Sequence, residues 1–163
     1  MRRRALLCFL ISSAAMAQTQ YGGTAKPDSM PHTGTGCPWL TEGSAAYALG
    51  GEVSITVKVA EGEGTCSFTR QQAPADSLEI AVSKAALAPC PPGSIALKGV
   101  GNEALTCRHG GPHGGVIEMI SSRVRDSHFT VTIARQAKSA AKPDDPQNDA
   151  LEQIAEQVAG NLY

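Results

Sequence analysis

Aromatic side chains make up only 4% of this 163-residue chain, and Trp39 is its one tryptophan. Basic residues form no run after Arg2-Arg3-Arg4. That argues against a general nucleic-acid binder, which needs a clustered basic footprint. No Cys-x-x-Cys occurs, which argues against a zinc knuckle and against a redox-active pair. No Gly-x-Ser-x-Gly is present to carry an acyl-transfer nucleophile. The longest apolar run, Ala5 to Ile11, is too short to span a bilayer, which takes about 20 residues. No internal repeat is visible.

What is present begins with compartment. Arg2-Arg3-Arg4, the apolar run and the small-residue end Ala15-Met16-Ala17 have the layout of a secretory signal peptide. Residues 1–17 are therefore expected to be removed, leaving Gln18 at the mature N-terminus. Cys8 lies inside the apolar run and not after it, so lipidation is not expected. Loss of the three arginines would move the formal net charge from -1 to -4. The protein is expected to be exported, periplasmic or extracellular, with no transmembrane segment after cleavage. Roughly 146 remaining residues suffice for one domain with a real core.

Export gives the cysteine count meaning. Cys37, Cys66, Cys90 and Cys107 form an even set in an oxidising compartment, and four cysteines allow three pairings.

Residues 18–36 mix Gly, Thr, Pro, Ser and His with almost nothing apolar and read as a flexible leader. The folded domain is expected over 37–163. Thr41 is a good N-cap, with Leu40 and Ala45 at staple spacing, for a short helix from Glu42 to Leu49 that Gly50-Gly51 ends. From Glu52 to Ala60, Val53, Ile55, Val57 and Val59 alternate with polar residues, the pattern of a half-buried strand. Glu61 to Gly64 reads as a turn, and Thr65 to Arg70 as the return strand of a hairpin. Ser77 to Lys84 is a third strand. Ala85 to Leu97, with Pro89, Pro91 and Pro92, reads as a loop. Further strands are expected at Ala104 to His109, Val116 to Val124 and His128 to Arg135, with a glycine-rich tip at 109–115. Asp149 and Glu152 have capping-box spacing for a last helix. Leu151, Ile154, Ala155, Val158 and Leu162 make its apolar face. The fold class is then α+β: an antiparallel sheet of about six strands, an N-terminal short helix and a C-terminal amphipathic helix packed on one face, and two disulfides.

The order of Cys37-x-x-Leu40-Thr41, a short helix ending in Gly-Gly, a cysteine-bearing strand, Gly99-Val100-Gly101-Asn102-Glu103-Ala104 and Ile154-Ala155-Glu156-Gln157-Val158 is suggestive. It resembles a family of small bacterial cell-envelope or secreted proteins of unknown function, many of them lipoproteins, with a PsbP-like fold. The resemblance spans roughly residues 37–163. It implies a non-enzymatic envelope role, and this chain departs from it in lacking a lipobox.

Chemistry is sparse. Gly99 to Ala104 fits the dinucleotide pattern Gly-x-Gly-x-x-Ala, but Leu105-Thr106-Cys107 reads as a strand where a pyrophosphate would need a helix N-terminus. A structural turn is expected, and no cofactor. His109 and His113 offer two imidazoles for a metal on the glycine-rich tip, with His128 and Glu118 as the nearest further donors. Glu52, Glu61, Glu63 and Glu79 read as solvated carboxylates with no acid–base pair among them. The expected function is non-catalytic binding of a protein or cell-envelope component, with an extracytoplasmic metal-binding domain built on His109 and His113 as the alternative. The expected bridges are Cys37–Cys66, pinning the first helix to the sheet, and Cys90–Cys107, closed by the glycine turn. The pairing Cys37–Cys90 with Cys66–Cys107 ranks second, because neighbouring strands seldom present two cysteines at disulfide geometry.

Overall fold

A computed structural model describes residues 36–87, 90–91, 93–137 and 149–163. The expected signal peptide, 1–17, and the expected leader, 18–36, apart from Gly36, lie outside the described residues. Helix α1 spans Glu42–Leu49, followed by strands β1 (Val53–Ala60), β2 (Glu63–Arg70), β3 (Ser77–Ser83), β4 (Ile95–Leu97), β5 (Glu103–Gly110), β6 (Val116–Val124) and β7 (Ser127–Arg135), and by helix α2 (Ala150–Leu162). The strands form one antiparallel sheet in the order β1-β2-β3-β7-β6-β5-β4. The α+β class, the two helices and both expected disulfides are present, Cys37–Cys66 and Cys90–Cys107, each with Cα atoms 5.8 Å apart.

Three expectations need correction. The stretch read as a loop ends in a short strand, β4, so that the sheet has seven strands among the described residues, in keeping with the about six expected. Three residues behind a proline cluster are too few to show alternation. The turn after β1 is shorter than expected: Glu61 and Gly62 both take positive φ, 53° and 82°, the geometry of a two-residue type I′ hairpin, so β2 begins at Glu63. Finally, Asp149 caps nothing with its side chain. Its backbone is already helical (φ -89°, ψ -2°), whereas a capping carboxylate needs an extended backbone to reach forward.

Helix α1 follows its local signals closely. Thr41 is extended and its Oγ1 accepts from Ser44 N at 3.1 Å. At the other end Gly50 is left-handed, with Gly50 N donating to Tyr47 O and Gly51 N to Ala46 O, the Schellman arrangement. Leu40 and Ala45 are both buried at staple spacing.

Strand alternation divides the sheet into two faces. Cys66 and Phe68 on β2, Leu78 and Ile80 on β3, Ile120 and Val124 on β6, and Phe129, Val131 and Ile133 on β7 share one face, and all are at most 1% exposed. Helix α1 packs against β1 to β3, and α2 against β6 and β7, on this face. From α2 come Leu151, Ile154, Ala155 and Val158, as expected, joined by Ala150 and Ala159. Trp39 is 4% exposed and belongs to this core. Its carbonyl accepts from Asn161 Nδ2 at 2.9 Å, which ties the start of the domain to the end of α2. Two buried polar groups brace the margins. Asp76 Oδ1 accepts from Gln136 N (2.9 Å) beyond β7 and its Oδ2 faces Arg70 (3.4 Å). Arg135 donates to Ala48 O in the last turn of α1 (3.0 Å), where a cation offsets the helix's unpaired carbonyls.

Candidate functional site

Among the described residues, no helix packs on the opposite face of the sheet. The registers fix which side chains it bears. Ser54, Thr69, Ser77, Ala134, Ile117 and His109 lie in one row across β1, β2, β3, β7, β6 and β5. Next come Thr56, Ser67, Glu79, Thr132, Met119 and Cys107, then Lys58, Thr65, Ala81, Thr130, Ser121 and Leu105. The middle of this face, over β2, β3 and β7, is therefore a field of hydroxyl and methyl groups. Most of them are half-buried by their neighbours. Its charges sit mainly at one margin: Glu63, whose Oε1 accepts from Lys84 N (2.7 Å), and the pair Arg123–Glu103 (3.0 Å) beside His128. Lys58 and Glu79 are the exceptions, and Ser67 Oγ donates to Glu79 at 3.5 Å.

Towards β5 and β6 the same face becomes apolar, with Ile117, Met119 and the 37%-exposed Leu105. The segment between β3 and β4 must cross β7, β6 and β5, since β4 is at the far edge. Its described residue Cys90 lies on this open face, bonded to Cys107, with its Sγ 3.7 Å from Leu105 O and 3.8 Å from Met119 O. The described residues around Cys90 thus form a strap stapled to this face beside β5 and β6. A groove of about 430 Å³, lined by Leu105, Ser121, Arg123 and His128 among others, opens beside β4. A second, of about 290 Å³, runs between the helices past Tyr47 and Gln153.

The glycine motif is a turn and no cofactor cradle. Gly99 and Gly101 have φ of 90° and 63°, and Asn102 N donates to Arg123 O (2.7 Å) while its Oδ1 accepts from Arg125 N (2.9 Å). A Cβ at Gly101 would stand 2.6 Å from Arg123 O. Strand β5 comes at once after it, so no helix N-terminus is offered.

The tip histidines stand apart from the extra donors considered for them. His109 is the penultimate residue of β5, on the open face opposite Ile117, and His113 sits in a 3-10 turn, Pro112–Gly114, with φ 54°. Glu118 points to the other face, where it meets Arg108 (3.5 Å) and Arg135 (3.6 Å). His128 pairs with Arg123, six residues along β6 from Ile117 and so roughly 20 Å away. Among the described residues no group of three His, Cys, Asp or Glu side chains is placed to hold a metal ion. Sequence reasoning found the tip and the cysteines but did not single out the hydroxyl face. Its signal was there, in the polar halves of β1, β2, β3 and β7.

No protein-family model matches the chain, and no curated protein does. Among solved structures it is similar to a crystal structure of a protein from Bacteroides thetaiotaomicron, with 9% identity and a TM-score of 0.38. That match covers 58% of this chain, which spans 38% of the other's length.

Proposed function

We propose that this chain is an exported, non-catalytic binding domain that engages a protein or cell-envelope component through the open face of its sheet. The observation that carries the reading is the hydroxyl-and-methyl field over β2, β3 and β7, a broad surface on which none of the described helices packs, on a sheet whose other face bears two. Hydroxyls and methyls together suit an extended surface, because each Ser or Thr offers both donor and acceptor while little charge must be desolvated. Export is supported by the signal-like start and by the two disulfides, which persist in oxidising compartments. No described helix is long and apolar enough to cross a membrane. The PsbP-like kinship belongs to the same proposal and rests on the sequence motifs.

Co-sedimentation of the disulfide-intact domain with isolated envelope fractions tests it. Thr130→Arg with Thr132→Arg, at the centre of the face, should abolish retention, and Tyr47→Ala, in the interhelical groove, should not. Retention that survives the arginine pair would sink the reading.

A further inference from the structure

A sheet edge is a row of unpaired N–H and C=O groups that invites another strand, and folded proteins blunt such edges with proline, charge, bulges or brevity. The two edges here are unlike. β4 is three residues long and comes soon after Pro91. β1 is eight residues long and pairs with β2 without interruption from Val53–Arg70 to Ala60–Glu63. It contains no proline, and Lys58 is its only charge. Among the described residues no strand pairs with its outer side.

The register fixes which groups point outward. Glu52 O accepts from Gln71 N at 2.9 Å, so the 52–71 pair is hydrogen-bonded. Every second pair along the ladder is too, through Ser54, Thr56 and Lys58. The backbone groups of Val53, Ile55, Val57 and Val59 therefore face away from β2. Val53 O is taken by the Gln71 side chain at 3.3 Å. The side chains of these four residues lie on the helix-bearing face and are only half-buried, whereas Cys66 and Phe68 on β2 are fully buried. The apolar row stops one strand short of full cover.

We propose that β1 is a dimerisation edge, on which a second copy of this chain pairs β1 to β1, antiparallel, about a two-fold axis through Thr56. Directly paired residues share a face, so the axis must pass through a residue that meets itself, and near the middle of β1 that means Thr56 or Val57. With Thr56 on the axis, Ile55 meets the partner's Val57 and Val53 meets the partner's Val59, and the outward backbone groups bond one another. Lys58 then faces the partner's Ser54 and lies diagonal to the partner's Glu52, about 7–8 Å off and within reach of long side chains. With Val57 on the axis, the two Lys58 side chains would be the diagonal neighbours and would repel. The charges select Thr56. The pairing would also join the two hydroxyl faces into one continuous surface, but it stands without the binding reading.

Sedimentation of the disulfide-intact protein from micromolar to millimolar concentration should show a monomer–dimer equilibrium. Thr56→Lys, which brings two ammonium groups together on an exposed face, should shift it to monomer with the circular dichroism unchanged. Thr56→Cys should oxidise to a covalent dimer, since a non-hydrogen-bonded pair has Cα atoms about 4.5 Å apart, within disulfide range. Ser54→Cys should not, because the two positions would lie roughly 13 Å apart. A monomer at every concentration, equal crosslinking of the two cysteine variants, or a dimer that persists in Thr56→Lys would each overturn the proposal. A monomeric protein that loses envelope retention on Thr56→Lys would also overturn it, assigning the edge to another protein's strand.

Discussion

The two sides of this sheet's midline are secured by different means. On one side α1 lies on β1 to β3, capped at both ends, and Cys37–Cys66 fastens the entering chain to the core face, with Cys66 0% exposed. On the other, α2 enters without a side-chain cap, and Cys90–Cys107 lies on the open face, where it holds a proline-rich strap (Cys90 is 8% exposed and Cys107 9%). The first bridge is part of the hydrophobic core and the second ties a loop to a surface. What this teaches is that equal crosslinks need not be equal in consequence. The chain-entropy contribution depends only weakly on loop length, so sequence separations of 29 and 17 give nearly the same value, on the order of 3 kcal/mol each. Burial separates them.

Removing each bridge in turn should give the largest differences. Cys37→Ala with Cys66→Ala should cost about 4–5 kcal/mol, because the lost crosslink is joined by a cavity beside Phe68 and Ile80. Cys90→Ala with Cys107→Ala should cost about 2–3 kcal/mol and chiefly free the strap. Urea titrations measure both, and hydrogen exchange should locate the second effect at residues around Leu105 and Met119. Equal losses would mean that the open-face bridge supports the core as much as the buried one does.

Helix entry gives the next contrast. Thr41→Ala removes a bond to Ser44 N and should cost about 1 kcal/mol. Asp149→Ala removes no capping bond and should cost less than about 0.5 kcal/mol. Thermal unfolding of the two variants side by side checks this, and a larger loss at Asp149 would reverse the assignment.

These contrasts also show what could be read from the chain before its fold. Thr41, Gly50 and Gly51 act within a few residues of one another, so α1 was legible to its ends. Strong alternation gave β1, β3 and β7. Glu61 hid the type I′ turn because a non-glycine residue at positive φ carries no local signal. β4 escaped because its pairing with β5 is tertiary: Ile95 is 69% exposed and shows no inward pattern. Asp149 misled because capping-box spacing does not fix the backbone angle that the cap requires. The disulfides were legible from their elements, but the placement of Cys107 on the open face, and hence the strap, needed the strand order. The hydroxyl field was written in the polar halves of β1, β2, β3 and β7 and unrecognisable until the registers aligned them.

The smallest effect concerns the tip on the β5–β6 side. His109 and His113 are exposed, and neither has a described hydrogen-bonding role in the fold. Replacing both with alanine should therefore change stability by less than about 0.5 kcal/mol. His113 adds one term, since its φ of 54° is left-handed. Histidine tolerates that region better than most residues, so alanine gains nothing there, whereas His113→Gly should stabilise the turn by up to about 1 kcal/mol. The same variants decide the metal alternative. Two imidazoles without a third protein ligand among the described residues should give only weak binding of copper or zinc. Calorimetric titration of the wild type should then show no tight site, and added metal should leave its melting temperature unchanged. A rise in melting temperature on adding copper that disappears in the double-alanine variant would favour the metal alternative over the proposed open-face binding, because only a ligand that binds the folded state raises stability by mass action.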